Sequence, residues 1–158
     1  MRVIVISDTH GNFHILQKIL DRHQSDASLV IFLGDGLREF EAVQALYPKL
    51  EYHCVAGNCD FASMAKRTDL VFAAGKRLLI THGDSFGVKS STERLLKTAR
   101  DNHADIALFG HTHCGMTQYI DGIYLMNPGS PAVPRGSEAS YGIIDLMPNG
   151  IFLNLVKL

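Results

Sequence analysis

The amino-acid sequence predicts an α/β fold with α+β character: two packed, mixed β-sheets flanked by helices. Three observations predict it. Short apolar runs alternate with amphipathic segments early in the chain, tight-turn sequences join paired apolar runs later, and five apolar runs end in clusters of Asp, Asn and His. Strand–helix alternation implies a parallel sheet, whereas strands joined by tight turns imply antiparallel pairing. Two sheets face to face, with helices outside, bury such runs best.

Val3 to Ile6 is a β-branched run suited to a strand buried on both faces. Phe13 to Gln24 carries Phe13, Ile15, Leu16, Ile19 and Leu20 at helical spacing. The cycle repeats with a strand over Leu29 to Leu33, a helix over Leu37 to Tyr47 stopped by Pro48, and a strand over Glu51 to Val55. Leu70 to Ala73 and Leu78 to Thr81 flank Gly75 as a hairpin. Ser90-Ser91-Thr92-Glu93 resembles a capping box opening a helix that runs to about Asn102. Ile106 to Phe109 is a further buried strand. Asp121-Gly122 joins Thr117–Ile120 to Ile123–Met126, and Asn149-Gly150 joins Tyr141–Leu146 to Ile151–Val156, so the C-terminal half is expected to be antiparallel.

With 158 residues, 46% of them hydrophobic and 20% charged, the chain has the composition of a globular protein. Residues 1–158 read as one domain, without repeat, linker or low-complexity tract. A formal net charge of -1 offers no polyanion-binding surface, which argues against a nucleic-acid partner and leaves small phosphorylated ligands open. Three cysteines, an odd number without paired spacing, argue against a disulfide framework and for a reducing compartment. The opening run is too short for a signal segment and no apolar stretch reaches membrane-spanning length, so a cytoplasmic protein without a membrane partner is expected.

The polar clusters carry the functional argument. Asp8 and His10, Asp35, Asn58, His82, then His111 and His113 follow five strands in order. Loops at the carboxyl ends of such strands converge on one crevice. In extended backbone, residues two apart point to the same side, so each Asp-x-His or His-x-His pair can grip metal without needing a helix. Carboxylate, imidazole and amide oxygen suit a cluster of divalent cations.

Asp8-x-His10, Gly34-Asp35, Gly57-Asn58-Cys59-Asp60, His82-Gly83 and Gly110-His111-Thr112-His113 resemble the signature set of the calcineurin-like metallophosphoesterases, over most of the chain and in family order. Short length and the Cys of the third motif are most similar to the small prokaryotic phosphodiesterase branch. The resemblance implies a metallophosphoesterase-type sandwich and two divalent ions, with Mn first and Ni, Fe, Zn or Co as alternatives. It implies that Asp8, His10, Asp35 and His113 hold one metal, and that Asp35, Asn58, His82 and His111 hold the other. Asp35 would bridge them, and Asp35, Asn58 and His10 are the candidate catalytic residues. Two cations about 3.5 to 4 Å apart acidify a bridging water and clamp phosphoryl oxygens. The implied reaction is hydrolysis of a small phosphate ester by a metal-bridging hydroxide, without a protein nucleophile.

Many relatives carry a histidine where this chain has Cys59, thought to protonate the leaving oxygen or hold the phosphate, aided by the following acid. A thiol is a poor substitute for a protonated imidazole. A monoester dianion gains most from cationic contacts, so the departure favours diesters over monoesters. Cys59 is equally readable as a small buried residue. Asn12 is a substrate contact or a helix N-cap, with the cap favoured. Arg38 is a phosphate contact or a solvated arginine. Asn127-Pro128-Gly129-Ser130, with Arg135, resembles a family segment near the site and reads equally as a rigid turn. His14, His23, His53 and His103, like Cys54 and Cys114, read as surface or packing residues. Two other functions fit the same residues: a phosphomonoesterase or nucleotide phosphatase using the same metals, and a non-catalytic scaffold of the same fold. The exposed hairpins leave a homo-oligomer open.

Overall fold

The computed structural model describes residues 1–158. In chain order its elements are β1 (Arg2–Ile6), α1 (Phe13–His23), β2 (Leu29–Phe32), α2 (Leu37–Gln44), β3 (Glu51–Cys54), β4 (Thr68–Ala73), β5 (Lys76–Thr81), α3 (Glu93–Asp101), β6 (Ile106–Leu108), β7 (Met116–Ile120), β8 (Ile123–Asn127), β9 (Ser140–Met147) and β10 (Gly150–Lys157). One sheet has the order β10-β9-β1-β2-β3 and the other β4-β5-β6-β8-β7.

Alternation along the strands builds the layers, because successive side chains point to opposite faces. Val3, Val5, Leu29, Ile31 and Val55 of the first sheet meet Val71, Leu78, Ile80, Ile106, Leu108 and Met126 of the second in one core between the sheets. The alternate residues Ile4, Ile6, Val30 and Phe32 pack outward against Leu16, Ile19 and Leu20 of α1 and Phe40 and Val43 of α2. Leu79, Ala107 and Leu125 pack outward against Leu95, Leu96 and Ala99 of α3. Val3 to Ile6 are wholly buried, as a strand covered on both faces should be.

The first sheet contains the expected parallel run, β1 with β2 and β2 with β3. The C-terminal half is not antiparallel throughout, correcting the expectation from its turns. The hairpins β4–β5, β7–β8 and β9–β10 are antiparallel, but β5 pairs parallel with β6, and β6 parallel with β8. Helix α3 makes a β–α–β crossover from β5 to β6, and such crossovers place their strands parallel. Parallel strands bring the carboxyl ends of β5 and β6 to one edge of the molecule.

Local chemistry sets several boundaries. Asn12 is the N-cap of α1, its side-chain oxygen accepting from the Ile15 N–H at 3.1 Å. Helix α2 ends at Gln44, three residues earlier than expected, and continues as turns through Tyr47. The capping box expected at α3 is not formed: Thr92 makes no side-chain cap, and Ser91 Oγ accepts from the Glu93 N–H. No helix is long and apolar enough to cross a membrane.

Candidate metal centre

The residues after β1, β2, β3, β5 and β6 meet at one edge of the sandwich. Asp8 N–H donates to the Gly34 carbonyl and His10 N–H to that of Asp35, tying the first loop to the second. Gly110 N–H donates to the His82 carbonyl, tying the fifth to the fourth. Glycine at 110 reflects close approach: a Cβ there would lie 2.0 Å from Ser7 Oγ and 2.7 Å from Asp8 Oδ2. In the space it leaves, Asp8 Oδ2 accepts from the His111 N–H at 3.0 Å.

The backbone that aims these side chains is not extended. Asp8, His10, Asp35, His111 and His113 all have positive φ, between 45° and 66°. Non-glycine residues enter this left-handed region at a cost, and such strain concentrates at functional sites. Asp8 and His10 meet at one candidate ion site with His113, whereas His111 turns to His82, and a left-handed backbone rather than strand alternation sets these directions, which corrects the geometry expected from strand periodicity.

Hydrogen bonds behind the rings fix which nitrogen faces inward. His82 Nδ1 lies 2.7 Å from the Leu33 carbonyl oxygen, and His113 Nδ1 lies 2.6 Å from that of Val133. A carbonyl only accepts, so each Nδ1 carries the proton and each Nε2 presents a lone pair to the centre. His10 Nε2 is 3.3 Å from His113 Nε2, His111 Nδ1 is 3.2 Å from His82 Nε2, and Asn58 Oδ1 is 3.2 Å from His82 Nε2. Asp35 Oδ2 stands between the two sets, 3.9 Å from His10 Nε2 and 3.5 Å from His82 Nε2.

This donor set fits divalent metal ions. Donors about 2.1 Å from one ion, at tetrahedral to octahedral angles, stand about 3.0 to 3.4 Å apart, as these nitrogens do. Asp8 Oδ1 is buried without a hydrogen bond, although His113 Nε2 is 3.2 Å away. A buried carboxylate oxygen left so calls for a cation. Three overlapping groups can hold one: Asp8, His10 and His113; Asp8, Asp35 and His82; and His10, Asp35 and Cys59. Burial pushes the Asp8 carboxyl up, but His113 and His82 outweigh it and hold Asp8 below the usual range. The Asp8 contact raises His113, whereas burial and the neighbouring His82 lower His111 and favour its neutral, ligating form.

Comparison with known proteins decides the family. The model of the calcineurin-like phosphoesterase superfamily domain matches residues 1–148. The chain belongs to the calcineurin-like phosphoesterase superfamily. It is 36% identical over 148 residues to the probable metallophosphoesterase YsnB of Bacillus subtilis (strain 168), covering 92% of this chain and 85% of that protein. It is 28% identical over 168 residues to phosphodiesterase YfcE of Escherichia coli (strain K12), covering 92% and 88%. The crystal structure of a predicted phosphoesterase from Streptococcus pneumoniae TIGR4 superposes with a TM-score of 0.87 at 26% identity, over 99% of this chain and 88% of that one.

Around the donors of this calcineurin-like chain, other residues take definite places. Cys59 is exposed, which removes the reading of it as a buried packing residue; its N–H donates to Asp35 Oδ1 at 2.8 Å. Desolvation and then the Asp35 carboxylate push its thiol up to about 11. Asn12 spends its side-chain oxygen on the α1 cap, and Arg38 is exposed on the wall of a cleft beside His10 and Asp35. Asn127 Nδ2 donates to the Gly110 carbonyl at 2.8 Å and Ser130 Oγ to the Asp8 carbonyl at 2.7 Å, so that segment braces two donor loops as well as turning the chain. Asp60 is a residue to which sequence reasoning gave no role in this chain beyond its place in the third motif. Its carboxylate accepts from the N–H groups of Asp35, Gly36, Leu37 and Gly57.

Proposed function

We propose that this chain is a metal-dependent phosphodiesterase with a dinuclear centre. The carrying observation is the meeting of seven donors from five loops around Asp35, whose Oδ2 lies between two sets of imidazoles. In this reading Asp8, His10, Asp35 and His113 hold one ion, and Asp35, Asn58, His82 and His111 the other. Asp35 would be shared through Oδ2, which lies between the two sets, while its Oδ1 accepts from the Cys59 N–H. Mn is the first expectation, with Ni, Fe, Zn or Co compatible with nitrogen and oxygen donors.

Two such ions supply an acidified water and a clamp on the phosphoryl oxygens. The protein's part is to hold donors in place before substrate arrives. The Leu33 and Val133 carbonyls fix the His82 and His113 rings, and Asp60 fixes the loop that carries Asp35. Asp35, Asn58 and His10 would face a small phosphate ester; the His10 side chain is 30% exposed against 2% for Asp35. Cys59 stands next to Asn58 with a thiol that is uncharged near neutrality. A diester monoanion needs less cationic help than a monoester dianion, so the absence of an imidazolium here favours the diesterase reading over phosphomonoesterase or nucleotide phosphatase activity. The scaffold reading is the weaker one, because every donor is present at this site.

The test is hydrolysis of bis(p-nitrophenyl) phosphate and p-nitrophenyl phosphate with Mn, Ni, Zn and Mg, with bound metal counted by elemental analysis. The diester is expected to be the better substrate. Asp35→Asn should lower kcat at least 100-fold and reduce bound metal, and full activity with two metals retained would sink the bridging assignment. Cys59→His is expected to raise the monoester-to-diester ratio of kcat/KM severalfold; an unchanged ratio counts against the role given to position 59.

A further inference from the structure

A cleft of about 870 Å³ opens from the donor cluster, with His10, Asp35 and Cys59 at its inner end. One wall is the start of α2, with Arg38, Glu39 and Glu41. The loop after β3 also lines it, and there Phe61 and Met64 are 89% and 99% exposed. Large apolar side chains displayed this fully beside a polar centre have no packing role in the chain. The loop carrying them is tied down: Ala56 N–H donates to the Lys66 carbonyl, Ser63 N–H to that of Asp60, Ala65 N–H to Ser63 Oγ, and Asp60 clasps the α2 start. The apolar wall is thus formed in advance, as ligand sites commonly are.

Resting on the phosphoesterase reading above, we infer that this cleft is a subsite for one ester group of the substrate, and that the group it takes is aromatic or apolar and bears no negative charge. Continuity carries the first half: phosphorus held at the donor end has one substituent directed along the cleft, between the α2 start and Phe61 and Met64. Charge carries the second half. Glu39 and Glu41 outnumber Arg38 on the rim, so a second phosphate or carboxylate on that group meets net repulsion. Nucleoside polyphosphates and polynucleotides are poor occupants, whereas a ring buries against Phe61 and Met64.

The experiment compares phenylphosphonate with methylphosphonate on the Zn-loaded chain, labelled with [13C]methyl methionine. Both present the same phosphonate head, and only one carries a ring. Phenylphosphonate is expected to bind about tenfold more tightly and to move the Met64 methyl resonance upfield by its ring current, which methylphosphonate cannot do. Phe61→Ala/Met64→Ala should bring the preference below about threefold, with the other methionine methyl resonances reporting an intact fold. A 4-carboxyphenyl phosphonate should bind more weakly than the phenyl one. Equal affinity of the unmodified chain for the phenyl and methyl ligands, or a preference that survives the double substitution, overturns the subsite. Equal affinity for the carboxylated ring overturns its charge selection. A dimer that the double substitution dissociates in sedimentation equilibrium, without a ring preference, assigns the face to a second copy and overturns the proposal. Bis(p-nitrophenyl) phosphate turnover without a ring preference sinks the subsite alone. A ring preference and Met64 shift without any turnover support the subsite and sink the phosphodiesterase reading.

Discussion

Four backbone N–H groups converge on Asp60, from Asp35, Gly36, Leu37 and Gly57, at 2.7 to 3.0 Å. One carboxylate thereby holds the β2–α2 turn against the end of β3, and Asp35 sits in the middle of that turn. Replacing it by alanine strands several donors at once. A hydrogen bond to a charged group is worth about 1.5 to 3 kcal/mol and water reaches some of the freed groups, so Asp60→Ala is expected to lose about 2 to 4 kcal/mol in urea denaturation. Diester hydrolysis should fall more than tenfold as Asp35 loses its support, and Asp60→Asn, which keeps one acceptor oxygen, should lie between. Wild-type stability in Asp60→Ala would show the clasp to be dispensable. The sequence shows an acid two residues after Asn58, and the resemblance gives such an acid only the part of aiding a histidine that this chain lacks. Its partners are N–H groups three to 25 residues away, which no local pattern specifies.

Secondary structure was legible where its determinants are local. Asn12 caps α1 because an Asn before an amphipathic run can accept from an N–H three residues on, and it does so from Ile15. Asn12→Ala is expected to cost about 1 kcal/mol in the same denaturation assay, and Asn12→Asp to be nearly neutral. A loss below 0.3 kcal/mol for alanine, roughly the scale of a neutral surface change, would show that the cap contributes little. Asp121 and Gly122, both at positive φ, form the β7–β8 turn where the turn residues predicted it. That turn says nothing about which strand of the hairpin docks on the sheet. Because β8 rather than β7 lies beside β6, the pairing there is parallel. The seven candidate donors were legible as ends of strands, whereas the left-handed backbone aiming five of them was not.

At the scale of the whole molecule, the first and penultimate strands are neighbours in the sheet that carries Asp8 and Asp35, and an ion pair fastens them. Arg2 Nε donates to Asp145 Oδ1 at 2.8 Å and Arg2 Nη2 to Asp145 Oδ2 at 3.0 Å, while Arg2 also pairs with Asp26 beyond α1. The Arg2 contact holds the Asp145 carboxyl below its usual range against a smaller opposing effect of burial. A carboxyl whose folded pKa is depressed stabilises the fold fully above its unfolded value, about 3.9, and loses that contribution as pH falls through the folded pKa. The pair is partly exposed, so screening limits it, and its two-pronged geometry sets about 1 kcal/mol as its scale. Asp145→Asn is therefore expected to unfold about 1 kcal/mol more easily than wild type at pH 7. The difference should begin to shrink near pH 4 and close below the depressed pKa, as measured by urea denaturation in chelator, so that metal binding does not contribute. A difference that stayed constant from pH 7 to pH 2.5 would mean that Asp145 acts through packing or neutral hydrogen bonds, and that its charge does not help hold β9 on β1 in the sheet that carries the candidate donors.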